Sequence, residues 1–138
     1  LKDGVKVSLD IPEGLEVRGD SNHLVQVLVN LIQNALDAMR TKRYEDAESP
    51  SISLRSTVSD SRVALIVRDN GPGIPDEIKN SVFDPFFTTK DVGAGMGLGL
   101  AICHRIMADH GGSIDVRSET GIFTEFILEF PALDPIIS

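Results

Sequence analysis

Residues 84–100 read DPFFTTKDVGAGMGLGL: a Pro/Phe cluster, then Thr88, Thr89 and Lys90, then glycines at every second position, Gly93, Gly95, Gly97 and Gly99. From Gly97 onward the pattern turns helical, with Leu98, Ile102, Ile106 and Met107 at three-to-four-residue spacing. A glycine loop feeding a helix N-terminus suits phosphate, because bare N–H groups point out of the first turn and the helix dipole favours negative charge. A loop merely punctuated by glycine would look the same. The familiar nucleotide fingerprints are missing: no Gly-Lys-Ser/Thr follows, the spacing is not G-x-G-x-x-G, and the run lies past mid-chain instead of opening a βαβ unit. For this loop to hold phosphates, other segments must supply a base pocket and a metal ligand.

Working outward, the 138 residues suit one domain, large enough to bury a core without staples. Thirteen Lys and Arg against 21 Asp and Glu give a formal charge of −8, which disfavours a nucleic-acid partner. No apolar run reaches membrane-spanning length and no signal peptide is visible, so a cytoplasmic setting is expected. The single cysteine, Cys103, excludes a disulfide framework and sits on a helical pattern as a core thiol. His23, His104 and His110 lack metal-ligand spacing, and the last is placed to close a helix C-terminus as a favourable positive charge.

N-terminal to the glycine run, Val5, Val7, Leu9 and Ile11 alternate with polar residues as in a half-buried strand, and Leu15–Arg18 forms a short second one. Asp20 or Ser21 caps a long helix, roughly residues 22–40, with Leu24, Val27, Leu28, Leu31, Ala35 and Met39 in its apolar stripe. Asn30 and Asn34 are one turn apart at the edge of that stripe. They are either surface amides or oxygen ligands for a hard cation such as Mg²⁺, which takes few protein oxygens and completes its shell with phosphate and water. Residues 41–50, TKRYEDAESP, form an exposed, mobile loop.

Ile52–Val58 and Val63–Val67 read as strands, the latter apolar enough to be central. The latter ends in Asp69-Asn70-Gly71-Pro72-Gly73-Ile74, either a plain turn or a carboxylate needing a donor such as an adenine amino group. A short helix follows from Pro75 to about Val82, and the aromatics Phe83, Phe86 and Phe87 are expected to pack under the loop, with stacking on a base as the alternative. C-terminal to the glycine run, a helix to His110 ends at Gly111-Gly112. Ser113–Arg117 and Phe123–Phe130 are the last strands, and in the latter Thr124 shares an inward face with Phe126, Leu128 and Phe130.

Four motifs thus follow in order: Asn30-Leu31-Ile32-Gln33-Asn34-Ala35, Asp69-Asn70-Gly71-Pro72-Gly73, Phe83-Asp84-Pro85-Phe86-Phe87 and Gly95-Met96-Gly97-Leu98-Gly99-Leu100. Each is weak alone. In this order they resemble the N, G1, F and G2 boxes of the ATP-binding catalytic domain of bacterial sensor histidine kinases, within the gyrase, MutL and histidine kinase ATPase superfamily. The run FDPFFTTK is most similar to the nitrogen-regulation and C4-dicarboxylate-transport sensor kinases. The resemblance covers Val5 to Phe130 and implies an α/β (α+β) two-layer sandwich of the Bergerat type, with a mixed sheet of five or six strands, helices on one face and a flexible ATP lid.

By motif match, the resemblance implies that Asp69 accepts from the adenine amino group and that Gly71, Gly73 and Ile74 close on the base. Asn34 is implied as the Mg²⁺ ligand and Asn30 as its neighbour toward the triphosphate. Lys90, Gly95, Met96, Gly97, Leu98, Gly99 and Leu100 are implied around the phosphates. Thr124 would support the base through a water. The family's last box commonly ends Gly-x-Gly-Thr-x-Phe, whereas this chain has Gly121-Ile122-Phe123-Thr124-Glu125-Phe126, with Phe123 in place of the second glycine.

The implied activity is donation of the ATP γ-phosphate to a histidine on a separate dimerisation domain of the same protein, with a response regulator as the onward partner. No catalytic residue is assigned within 1–138, because the acceptor histidine and its helical hairpin are not in this segment. A homodimer is implied for the full-length kinase, cytoplasmic or the cytoplasmic part of an inner-membrane sensor, and a monomer for the segment. A stand-alone ATPase or anti-sigma-type serine kinase of the same fold is the alternative. Those relatives carry a glutamate at position 30 as general base, and Asn30 cannot accept a proton at neutral pH.

Overall fold

A computed structural model describes residues 4–12, 17, 19–45, 48–59, 62–84 and 99–131. Five strands, β1 (Lys6–Asp10), β2 (Ser51–Ser59), β3 (Arg62–Asp69), β4 (Ser113–Glu119) and β5 (Phe123–Phe130), form one sheet in the order β1-β2-β3-β5-β4. Only the β1–β2 pair is parallel, so the sheet is mixed. Helices α1 (Ser21–Met39) and α3 (Gly99–Asp109) cover one face, and α2 (Asp76–Lys79) is a single turn after β3.

The registers set the inward face in rows. Val58, Val63 and Phe130 make one row; Ser56, Leu65, Leu128 and Ile114 the next; then Leu54, Val67, Phe126 and Val116. The last row, Ile52, Asp69, Thr124 and Ser118, is mostly polar. Val27, Leu31, Ala35 and Met39 of α1 and Leu100, Cys103, Ile106 and Met107 of α3 close over the apolar rows. Side-chain alternation with period 2 in the strands and 3.6 in the helices thus puts the core between the layers and leaves a polar margin at one end.

Asp20 caps α1 through Oδ1, which accepts from the N–H groups of Asn22 and His23, and the His23 bond holds its carboxyl below the usual range. The C-terminus of α3 closes as the Gly111-Gly112 pair leads one to expect. Gly111 takes φ 78°, and the N–H groups of Gly111 and Gly112 return to the carbonyls of Ala108 and Met107.

The structure corrects the sequence expectation at β1. β1 is not half-buried: Val7 is 47% and Leu9 71% exposed, and only Val5 at its entry reaches the core. It is an edge strand, and although Val7 and Leu9 lie in register with Ile52 and Leu54, the helical layer does not extend over them. The strand expected at Leu15–Arg18 lies outside the described residues except Val17, which packs on the core without strand pairing.

His110 also departs from the expectation. Its Nε2 accepts from the Asp20 N–H at 2.9 Å while Nδ1 lies 2.8 Å from the Ile106 carbonyl. Both bonds together require the neutral tautomer protonated on Nδ1, so the ring links the end of α3 to the start of α1 instead of serving there as a cation. His110→Ala is therefore expected to lower stability by about 0.5–1.5 kcal/mol, the net scale of an ordinary hydrogen bond, since the Asp20 bond is exposed. Urea denaturation measures it, and an unchanged midpoint would show the link to be idle.

The outer face of the sheet carries Glu125, 1% exposed, ringed by Arg55, Arg68 and Arg117 at 3.5, 3.2 and 3.2 Å. Arg68 also lies over the Phe123 ring, 4.0 Å from its centroid, so the aromatic that departs from the family pattern packs on the outer face under a cation.

Candidate functional site

Antiparallel pairing of β3 and β5 puts Asp69 directly opposite Thr124. Both side chains face the helical layer, and at 5% and 6% exposure they are, with Glu125, the buried polar residues among those described. Burial pushes the Asp69 carboxyl up to about 6; the Gly71 N–H and the charges of Lys42 and Arg68 pull the other way. Among the described residues the one hydrogen bond to this carboxylate is from Gly71 N–H to Oδ1, at 2.8 Å. The second oxygen remains an acceptor facing the margin of the core.

The loop after Asp69 is built to hold that carboxylate. A Cβ on Gly71 would meet Asp69 Oδ1 at 2.8 Å and Met39 Cγ at 3.4 Å, so the loop can lie against both the carboxylate and the last turn of α1 only with glycine there. Gly73 has φ 77°, and its Cβ would lie 2.6 Å from the Glu119 carbonyl oxygen. The closeness these glycines provide within the chain is thus to Asp69 and to the β4–β5 turn. Two bonds fasten the loop to that turn: Ile74 N–H to Ser118 Oγ, and Gly121 N–H to the Pro72 carbonyl, both at 2.6 Å. Ser118 Oγ in turn donates to the Phe123 carbonyl. Phe123 therefore occupies the glycine's place without disturbing the register of Thr124.

Along α1, Asn30, Asn34 and Ala38 form one line, and Gly71 packs beside Ala38 at its end. Asn30 Nδ2 donates to Cys103 Sγ at 3.7 Å, and the thiol reaches the Val27 carbonyl. Burial pushes this thiol up to about 11, so it is an inert core group. Because the start of α1 meets the end of α3 through His110, the helices run antiparallel. One turn beyond the Asn30–Cys103 contact, Asn34 on α1 therefore lies level with Gly99 at the start of α3. Leu100 has its side chain in the core, so only its backbone can serve a ligand. Asn34 Nδ2 is buried without a hydrogen-bond partner, and exchange of the amide's O and N would aim an oxygen the same way.

An orphaned amide at this point fits an oxygen ligand for a hard cation that takes its remaining shell from phosphate and water. Among the described residues no group of three His, Cys, Asp or Glu side chains stands ready to hold a metal by itself. The described contacts join Asp69 to Thr124, to Gly71 and through Gly71 to Ala38 and Met39 of α1, with Gly73 and Ile74 against the β4–β5 turn, while Asn34 and Asn30 follow from Ala38 along α1. Lys90, Gly95, Met96, Gly97 and Leu98 lie outside the described residues, as do Phe86 and Phe87. Phe83 packs on Phe126 and His104, and the loop expected to lie over it is outside the described residues.

Sequence reasoning missed Lys42 and Tyr44. Thr41, Arg43 and Glu45 are exposed as expected, but Lys42 Nζ donates to the carbonyls of Asn70 and Gly121, and the Tyr44 hydroxyl donates to the same Asn70 carbonyl. A lysine and a tyrosine in a polar stretch carry no periodic signal that separates them from solvated residues. Ser118, at one end of the polar row, was likewise unmarked.

The family described as histidine kinase-, DNA gyrase B- and HSP90-like ATPase matches residues 19–134. The C4-dicarboxylate transport sensor protein DctB of Rhizobium meliloti is 43% identical over 113 residues, which cover 81% of this chain and 17% of that protein. The catalytic domain of histidine kinase ThkA superposes with a TM-score of 0.77 at 35% identity, covering 94% of this chain and 80% of that one. The same kinase in complex with response regulator protein TrrA gives a TM-score of 0.72 at 34% identity, covering 94% of this chain and 34% of the kinase. Against the first curated relatives the chain spans 15–23% of their length.

Proposed function

The chain belongs to the histidine kinase-, DNA gyrase B- and HSP90-like ATPase family, and on that premise we propose that it binds Mg-ATP and presents the γ-phosphate to a histidine on a separate dimerisation domain of a two-component sensor kinase. The observation that carries the reading is the in-register pair Asp69–Thr124 at the end of the core, with a free carboxylate oxygen, on the same margin as the orphaned Asn34 amide. Adenine would donate its amino proton to Asp69, with Thr124 beside it. The triphosphate would run from the Ala38 end of α1 toward Asn34, about 6 Å of helix, which brings it to the start of α3, with Asn30 one turn further on. Asn34 would hold Mg²⁺, which supplies charge neutralisation on the phosphate oxygens. Lys90 and the residues 95–98 would close over the phosphates.

What the chain's own residues do is orient the nucleotide and exclude water. Asn30 donates its amide to Cys103 and offers no base, so it does not activate water or a serine hydroxyl. A neutral imidazole needs no such base to attack phosphorus, and this favours histidine transfer over the ATPase or serine-kinase alternative. The described residues contain no helix long and apolar enough to cross a membrane. We place the domain in the cytoplasm, where ATP and a response regulator meet it, monomeric as a segment and dimeric through the rest of the kinase.

The test uses γ-labelled ATP and Mg²⁺ with the segment alone and with a histidine-bearing hairpin from a related sensor kinase. Label is expected on the hairpin and not on the segment, with only slow phosphate release. An acid-stable label on the segment would replace this reading with a serine or threonine kinase, and rapid release without the hairpin with an ATPase.

A further inference from the structure

We propose that Lys42 is a positioning residue of the adenine end of the site, joining the loop that follows Asp69 to the turn that precedes Thr124 so that both face one ligand. This rests on the nucleotide reading above. Lys42 is half-buried, and its ammonium spends two of three donors on backbone carbonyls from these two segments, Asn70 at 3.0 Å and Gly121 at 3.1 Å. Two bonds already join these segments directly, Ile74 to Ser118 and Gly121 to Pro72, and Lys42 adds a bridge to both from outside them. Tyr44 OH adds a second donor to the Asn70 carbonyl at 3.0 Å. The Asn70 side chain completes the anchorage, accepting from Ser51 N–H at 2.8 Å and donating to the Ser49 carbonyl at 2.9 Å. The Asn70 amide and carbonyl are thus all engaged within the chain, whereas Asp69 beside it keeps an oxygen that accepts from no described residue.

The lysine also acts at a distance. The charged groups acting on Asp69 are Lys42 and Arg68, and the Arg68 side chain lies on the opposite sheet face, engaged with Glu125 and Phe123. Tyr44 cannot replace the cation, since a phenol is neutral or anionic and never positive; burial, then the charges of Asp69 and Glu48, push its hydroxyl up to about 12. The neighbours from the other elements, Ile52 of β2, Thr124 of β5 and Ala38 and Met39 of α1, are uncharged. Lys42 is thus the cation on the ligand's side of the sheet that holds Asp69 in the accepting, ionised form as it is taken out of water.

ATP affinity measured by calorimetry from pH 5.5 to 8 tests this with the wild type, Lys42→Met, Lys42→Gln, Lys42→Arg and Tyr44→Phe. The nucleotide's own phosphates titrate alike in every case, so differences between profiles report on the protein. Wild type should lose affinity as the pH falls through about 6, where Asp69 gains a proton and ceases to accept. In Lys42→Met and Lys42→Gln the loss should set in at higher pH, leaving ATP about threefold to tenfold weaker at pH 7 and closer to wild type at pH 8. Lys42→Arg should restore the profile, and Tyr44→Phe should leave its midpoint in place.

Profiles that superpose on wild type would overturn the proposal; a uniform loss at every pH would support the joining of the two segments and overturn the action of the Lys42 charge on Asp69. Thermal denaturation of each variant establishes that it is folded. A wild type that does not prefer ATP to GTP would instead overturn the nucleotide reading itself, whatever Lys42 does.

Discussion

Asp69→Asn is expected to make the nucleotide-free chain more stable at pH 7 and to remove most of its nucleotide affinity. The stability gain follows from the direction of the carboxyl's shift. Its folded value, about 6, lies above the ordinary 3.8, so the protonated form is the one the fold prefers. The associated stability is complete below about pH 4 and is lost as the pH rises through 6. A shift of this size corresponds to roughly 2–3 kcal/mol withheld at neutral pH. Asparagine removes the charge and can still accept from Gly71 N–H. Urea denaturation should show the gain at pH 7 shrinking as the pH is lowered toward 4; a gain independent of pH would mean that the charge is not its source.

On the binding side, Asp69→Ala should cost about 2–3 kcal/mol, or about 30- to 150-fold in affinity, because a charge-assisted bond is lost and an adenine donor is left unpaired. Calorimetry with ATP and GTP decides it. Guanine presents a carbonyl where adenine presents its amino group, so equal affinity of the wild type for the two would sink the assignment of Asp69 to the base.

Asn34→Ala should behave in the same two-sided way. The orphaned Nδ2 is buried without a partner, a burden of about 1–3 kcal/mol, and alanine is the better helix former. Stability should hold or rise. ATP affinity should fall about tenfold when Mg²⁺ is present and change little with EDTA, because the amide is proposed to act through the cation. The comparison is ATP titrated with and without Mg²⁺ into both proteins. A loss independent of Mg²⁺ would move the metal elsewhere along the line, with Asn30 next. Asp69 and Asn34 share a physical signature: each is less satisfied by the fold than its burial requires, which is what a ligand's donor or cation would complete.

Local pattern was enough to determine the two covering helices, the four strands β2 to β5 and the C-terminal closure of α3. In each, side-chain period, capping residue and glycine placement agree with the element that forms. The inward face of β5 is the clearest case, since Thr124, Phe126, Leu128 and Phe130 alternate within one strand and need no partner to be identified. The motifs carrying Asn30, Asn34, Asp69, Gly71 and Gly73 were legible for the same reason, each being a short contiguous run.

What only the tertiary structure decided is everything that depends on contacts between distant segments. Val7 and Leu9 alternate like buried residues, yet whether a strand is covered depends on how far the opposite layer reaches, which no window of sequence contains. His110 stands where a cation suits a helix end, but the Asp20 N–H, ninety residues away, demands a lone pair and sets its neutral form. Lys42 and Tyr44 look like solvated loop residues until the β3 loop and the β4–β5 turn are brought beneath them. Register completes the list: Asp69 and Thr124 are each visible in the sequence, but only the pairing of β3 with β5 makes them neighbours, and that pairing is set by burial of the whole face.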